Sequence, residues 1–124
     1  MKTIISIAII LIATISNEAM AYKSAGLLEK ECAKNNFESC LSLGIRFNFG
    51  IGVDQDKSKS LNLYEKACHG RYAHGCFNLG LSFEIGRGVP QDKSKALQLY
   101  EQACNFKEKK GCELYARLKY LGVQ

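Results

Sequence analysis

Six cysteines fix the frame of this chain. They fall at Cys32, Cys40, Cys68, Cys76, Cys104 and Cys112, two interleaved series that each repeat every 36 residues. The residues between them repeat as well. Leu43-Gly44-x-x-Phe47 returns as Leu79-Gly80-x-x-Phe83, and Gly50-Ile51-Gly52-Val53 as Gly86-Arg87-Gly88-Val89. Gln55-Asp56-Lys57-Ser58-Lys59 returns as Gln91-Asp92-Lys93-Ser94-Lys95, and Leu-x-Leu-Tyr-Glu-x-Ala-Cys follows in both copies. Over 41–68 and 77–104, 17 of 28 positions are identical. Self-similarity at such a period defines a repeat architecture, in which each unit buries its apolar face only against its neighbours.

Each unit reads as two helices. Cys40, Leu43, Gly44 and Phe47 stand at i, i+3, i+4 and i+7, one face of a helix, with Gly44 permitting close backbone approach. Gly50-x-Gly52 breaks that helix, because two glycines accept backbone conformations that other residues resist. Asp56 then caps a second helix whose stripe is Leu61, Tyr64 and Cys68, and Gly70 ends it. The next unit matches, with Pro90 ahead of Asp92 reinforcing the stop. Tyr64, Tyr100, Phe47 and Phe83 occupy repeat-defining positions and are expected in the core. The fold class is therefore all-α, an α/α superhelical solenoid of period 36. It divides into a half-unit over 22–36, hairpins over about 37–70 and 71–106, and a closing helix over 107–124.

Residues 1–21 read as a leader rather than as part of the fold. Lys2 supplies the positive end, Ile4 to Ile15 an apolar run, and Ala19-Met20-Ala21 a small-x-small cleavage site. The run is shorter than the roughly 20 residues that span a bilayer, so cleavage after Ala21 is expected, with no membrane span left. All six cysteines then enter an oxidising compartment, which places the protein in the periplasm or outside the cell. The net charge of +5 is spread along the chain. It forms no tract for nucleic acid, and a monomer is expected.

Cys32 and Cys40, Cys68 and Cys76, and Cys104 and Cys112 are each eight residues apart. On a continuous helix such a pair is separated by about 12 Å, whereas a disulfide needs Cα atoms within about 7 Å. If these are the pairs, the chain must reverse between them, where Gly70, Gly75 and Gly111 fall. Three such bonds would staple an array near the lower limit of repeat number. Cys-x2–4-Cys knuckles for zinc and a redox Cys-x-x-Cys are both absent. No metal or cofactor is expected.

The unit Leu-Gly-x-x-Phe…Gly-x-Gly-Val-x-x-Asp-x-x-Lys-(Ser/Ala)-Leu-x-Leu-Tyr-Glu-x-Ala resembles the Sel1-like repeat, a relative of the tetratricopeptide repeat. With Cys-x7-Cys in each unit and a leader, the chain resembles the Helicobacter cysteine-rich proteins. That resemblance covers essentially the whole mature chain. It implies one disulfide per unit, Cys32–Cys40, Cys68–Cys76 and Cys104–Cys112. It also implies penicillin binding and slow β-lactam hydrolysis, a β-lactamase activity; other Sel1-like proteins imply a protein-interaction scaffold.

The residues themselves show no hydrolytic constellation. A serine β-lactamase needs Ser-x-x-Lys, which brings nucleophile and base onto adjacent turns. No serine of the mature chain has a lysine three residues on, and no zinc motif occurs. His69 and His74 flank one turn but do not recur in other units. What the repeat does offer is a binding surface. Ser42, Arg46, Asn78, Ser82 and Arg117 lie off the apolar stripe of the first helices and are the candidate groove residues, with Arg46 and Asn78 suited to a carboxylate or peptide backbone. The helix starts at Asp56-Lys57 and Asp92-Lys93 are candidate anion sites. The expected ligand is a β-lactam or other cell-wall-derived small molecule, or, in the alternative, a peptide or protein held without catalysis in the concave groove.

Overall fold

The computed structural model describes residues 23–124 as six helices: α1 (Ala25–Ala33), α2 (Phe37–Phe49), α3 (Lys57–His69), α4 (Ala73–Ile85), α5 (Lys93–Asn105) and α6 (Lys109–Tyr120). The expected leader, its cleavage after Ala21, and Tyr22 lie outside the described residues. Each helix packs on the next in the chain, and α2 also touches α4, the signature of a solenoid built from antiparallel pairs. The helices α2, α4 and α6 are of the first type, and α1, α3 and α5 of the second.

Local chemistry sets the helix ends. The side chains of Ser24, Asn36, Asp56 and Asp92 accept from the backbone N–H groups of Leu27, Ser39, Lys59 and Lys95, satisfying donors that the first turn leaves open. Gly50, Gly86 and Gly122 stop the three first-type helices at φ of +68°, +77° and +81°, in the left-handed region where a Cβ is costly. Between units the turn is made differently. Asn35, Arg71 and Lys107, again 36 residues apart, hold φ of +64°, +61° and +74° without being glycine. The expectation that Gly70, Gly75 and Gly111 supply the reversal is corrected here. Gly70 caps α3 at φ −76°. Gly75 and Gly111 sit inside α4 and α6, where a Cβ would lie 2.6 Å from Ala67 Cβ and 2.8 Å from Ala103 Cβ. They are glycines because two helices touch there, not because the chain turns.

The three disulfides are Cys32–Cys40, Cys68–Cys76 and Cys104–Cys112, with Cα–Cα distances of 4.7, 4.5 and 4.5 Å. They join α1 to α2, α3 to α4 and α5 to α6, so every bond crosses from one unit to the next. A loop this short contributes about 2–3 kcal/mol per bond in the chain-entropy account. The core runs along the stack through Leu41, Leu61, Tyr64, Leu79, Leu99, Leu97, Tyr100 and Leu118. Phe47 and Phe83 are half-buried rather than fully in the core. Lys59 and Lys95 lie over their rings at 4.4 and 5.0 Å, closing the solvent side with a cation. Gly44 and Gly80 let α3 and α5 approach so closely that an added Cβ would meet the ring of Tyr64 or Tyr100 at 2.7 Å.

Candidate functional site

The molecule's depressions follow the second-type helices. A cavity of about 570 Å³ is lined by Asn35, Phe37, Asn62, Glu65, Lys66, His69 and Gly70. A second, of about 300 Å³, lies between Ser58, Asn62 and Glu65 on one side and Lys95 on the other, over Leu61, Leu79, Phe83 and Val89. A third, of about 180 Å³, continues past Glu65 and His69 to Gln98 and Gln102, over Leu79 and Leu99. The second and third share Glu65, Leu79 and Lys95 and form one groove between α3 and α5 with α4 as its floor, while the first lies across α3 from it, against Asn35 and Phe37.

Helical spacing explains the wall on α3. Ser58, Asn62, Glu65 and His69 are separated by four, three and four residues, which sets them on one stripe facing away from the Leu61–Tyr64–Cys68 core stripe. Lys95, Gln98 and Gln102 form the facing stripe of α5 by the same rule. The floor is apolar and the rim offers carboxamides, one carboxylate, an imidazole and ammonium groups. That arrangement can hold an elongated, polar-edged ligand with an apolar underside. Lys66 is partly committed, since its Nζ donates to the Cys32 carbonyl at 2.8 Å.

None of the five candidates read from sequence lines these cavities. Ser42 and Arg46 are half-buried on α2. On α4, the amide of Asn78 donates to the His74 carbonyl at 2.8 Å, and the hydroxyl of the buried Ser82 donates to the Asn78 carbonyl at 3.0 Å. Both side chains thus spend donors on their own helix. Arg117 reaches from α6 to Glu84 on α4, whose other carboxylate oxygen accepts from the Tyr100 hydroxyl at 2.5 Å. Burial, with the Glu84 bond and charge adding to it, pushes the Tyr100 phenol well above its ordinary value. The trio is a clamp across α4, α5 and α6. The N-termini of α3 and α5 are closed by the carboxylates of Asp56 and Asp92, which take the place an anion would need. His74 pairs with Glu108 at 2.6 Å, while His69 lines the groove. Among the described residues no cysteine is free and no cluster of His, Cys, Asp or Glu is placed to hold a metal ion.

A repeating solenoid stapled at every unit junction is the class of protein that this geometry defines. The family model for the Sel1 repeat matches residues 37–71 and 73–105. The chain belongs to the Sel1 repeat family. Among solved structures it is similar to cysteine rich protein B of Helicobacter pylori, with 30% identity and a TM-score of 0.70 over 73% of this chain and 68% of that one. A Sel1 repeat protein from Oxalobacter formigenes matches at 27% identity and a TM-score of 0.71, over 73% of this chain and 37% of the other. A protective antigen of uropathogenic Escherichia coli with an SLR fold, 22% identical, shares the fold at a TM-score of 0.79 over 82% of this chain and 22% of its own. No curated protein matches the chain by sequence. Disulfides at every junction suit an extracytoplasmic protein, and no helix among the described residues is long and apolar enough to cross a membrane.

Proposed function

We propose that this protein is an exported Sel1-repeat binding protein, released from its leader after Ala21, whose groove between α3 and α5 takes a carboxylate-bearing peptide or cell-wall fragment. The observation that supports the reading is the continuity of the 300 and 180 Å³ cavities through Glu65, Leu79 and Lys95, with an apolar floor and a polar rim. Lys95 provides a cation for a carboxylate, and Asn62, Gln98 and Gln102 provide both donors and acceptors for amide groups. Rigid helices fix the spacing of these side chains, so little ordering cost falls on the protein when ligand binds. The test is calorimetry of the oxidised protein, as exported, against a panel of short muropeptides. Lys95→Met and Asn62→Ala weaken binding several-fold each, while Arg46→Ala and Asn78→Ala leave it unchanged. The reverse pattern would move the site to the first-type helices.

A second reading has its own observation. β-Lactams carry a carboxylate, and Ser58 is the one serine that lines these cavities, sharing the 300 Å³ cavity with Lys95 and Glu65. A hydroxyl, an amine and a carboxylate around one space are the groups that slow acyl transfer requires. This supports the β-lactam binding and slow hydrolysis that family resemblance implies. Turnover of a chromogenic β-lactam that co-purifies with the oxidised protein, and falls in Ser58→Ala, makes the groove catalytic. Binding without turnover leaves it a scaffold.

A further inference from the structure

The 36-residue register repeats a pair of opposite charges, and the structure closes one copy of it and leaves the other open. Glu29 on α1 and Lys59 on α3 stand 30 residues apart, as do Glu65 on α3 and Lys95 on α5. Between α1 and α3 the pair is made, with Lys59 Nζ 3.7 Å from Glu29 Oε1. Between α3 and α5 it is not: among the described residues neither Glu65 nor Lys95 enters an ion pair. The two lysines are placed alike, each over the phenylalanine of its own hairpin, at 4.4 and 5.0 Å. What differs is the carboxylate. The Glu65 side chain hydrogen-bonds to no described residue.

Glu65 and Lys95 both line the 300 Å³ cavity and both line the 180 Å³ one, so the open pair sits where the two meet, above Leu79. Ser58 and Asn62 continue the rim on one side of it, and Gln98 and Gln102 on the other. An exposed ion pair contributes little by itself, so leaving this one open costs the fold little. A ligand that carries both opposite charges gains two such contacts at once, over an apolar floor that concentrates the field between the walls.

We propose that the groove selects a zwitterionic ligand, with an ammonium for Glu65 beside a carboxylate for Lys95, as at a free α-amino-acid centre within an otherwise neutral, amide-bearing chain. The selection rests on the groove proposed for ligand and narrows its ligand class. A carboxylate alone satisfies Lys95 and leaves Glu65 unpaired. A fragment with two carboxylates meets Glu65 as a like charge.

Calorimetry of the exported, oxidised protein tests this with one muropeptide whose diaminopimelate side chain ends in a free α-amino-acid centre. It is used in three forms: intact, acetylated on that amine, and amidated on the carboxylate of the same carbon. The intact form is expected to bind about fivefold more tightly than either blocked form. Glu65→Gln no longer distinguishes the acetylated form from the intact one, and Lys95→Met no longer distinguishes the amidated form. Both side chains are exposed, so both variants fold, and circular dichroism checks this. Glu29→Gln, whose partner Lys59 lies outside the groove, keeps the full preference for the intact form. If the three forms bind alike while Asn62→Ala still weakens them all, the groove stands and the selection falls. A preference for the intact over the acetylated form that persists in Glu65→Gln also overturns it. So does an equal loss in Glu29→Gln, because only overall charge is then being read. No binding of any form removes the groove and the selection together.

Discussion

At the residue scale, the positions that matter most are those where the two helix types touch. Gly75 and Gly111 have no room for a Cβ, and the same position in the first unit is Ser39, whose hydroxyl donates to Glu31 at 2.5 Å. Gly75→Ala and Gly111→Ala are therefore expected to cost about 1–3 kcal/mol through overpacking, read as a lower midpoint in urea. The left-handed residues between units behave oppositely. Arg71 and Lys107 bear the strain of a Cβ at positive φ, about 1 kcal/mol or more, against which glycine costs some chain entropy in the unfolded state. Arg71→Gly and Lys107→Gly should be neutral or stabilise by up to about 1 kcal/mol, measured in the same titration. Sequence alone misassigned this turn because glycine marks both tight turns and close packing. Only the 36-residue recurrence of Asn35, Arg71 and Lys107, three unlike side chains, held the other signal.

At the scale of elements, the caps and the helix-breaking glycines were readable directly, Asp56, Asp92, Gly50 and Gly86 most plainly, because each acts on its own segment. The clamp between helices was not. Glu84 and Arg117 depart from the repeat, standing where the neighbouring unit has Asn48 and Leu81. That joint departure was the available trace of a bond between α4 and α6. The clamp has a pH signature. Tyr100 is raised in the folded protein, so an unfolded chain releases its phenolic proton first, near pH 10. Stability from this group is complete below that value and is lost as pH rises through the folded value. Tyr100→Phe is expected to cost about 1 kcal/mol at pH 7 through the lost hydrogen bond, and to lose less on going to alkaline pH than the parent does. Thermal melts at pH 7 and above pH 10 compare the two slopes. Glu31 works at the acid end, since hydrogen bonds from Lys23 and Ser39 hold its carboxyl below the usual carboxylate range. Its contribution is present above the ordinary carboxylate value and disappears as pH falls through the lowered one. Glu31→Gln should flatten the acid limb of the melting profile.

At the scale of the whole molecule, the period, the helical class and the number of staples were legible because they are one-dimensional properties of a chain that folds by stacking. The groove was not, because where a solenoid opens depends on how successive helices spread. α2 and α4 meet while the space between α3 and α5 stays open, so the groove we propose for ligand is lined by Asn62, Glu65 and Lys95 rather than by Ser42, Arg46, Asn78, Ser82 and Arg117. The staples also differ in access. Cys32, Cys40, Cys68 and Cys76 are buried, whereas Cys104 and Cys112 are half-buried. Partial reduction followed by alkylation and mass spectrometry is expected to label Cys104 and Cys112 first. Full reduction should remove the cooperative thermal transition, since three bonds of about 2–3 kcal/mol each approach the entire stability of a small domain.

Every disulfide links the end of one hairpin to the start of the next, so the covalently closed pieces are α1–α2, α3–α4 and α5–α6. The loops that separate these pieces, 50–56 and 86–92, are spanned by no bond. A gene encoding such a chain can therefore lose or gain 36 residues by recombination between its glycine loops, and each exchange carries a complete cysteine pair with it. Array length becomes free to vary over generations without ever leaving an unmatched thiol in an oxidising compartment.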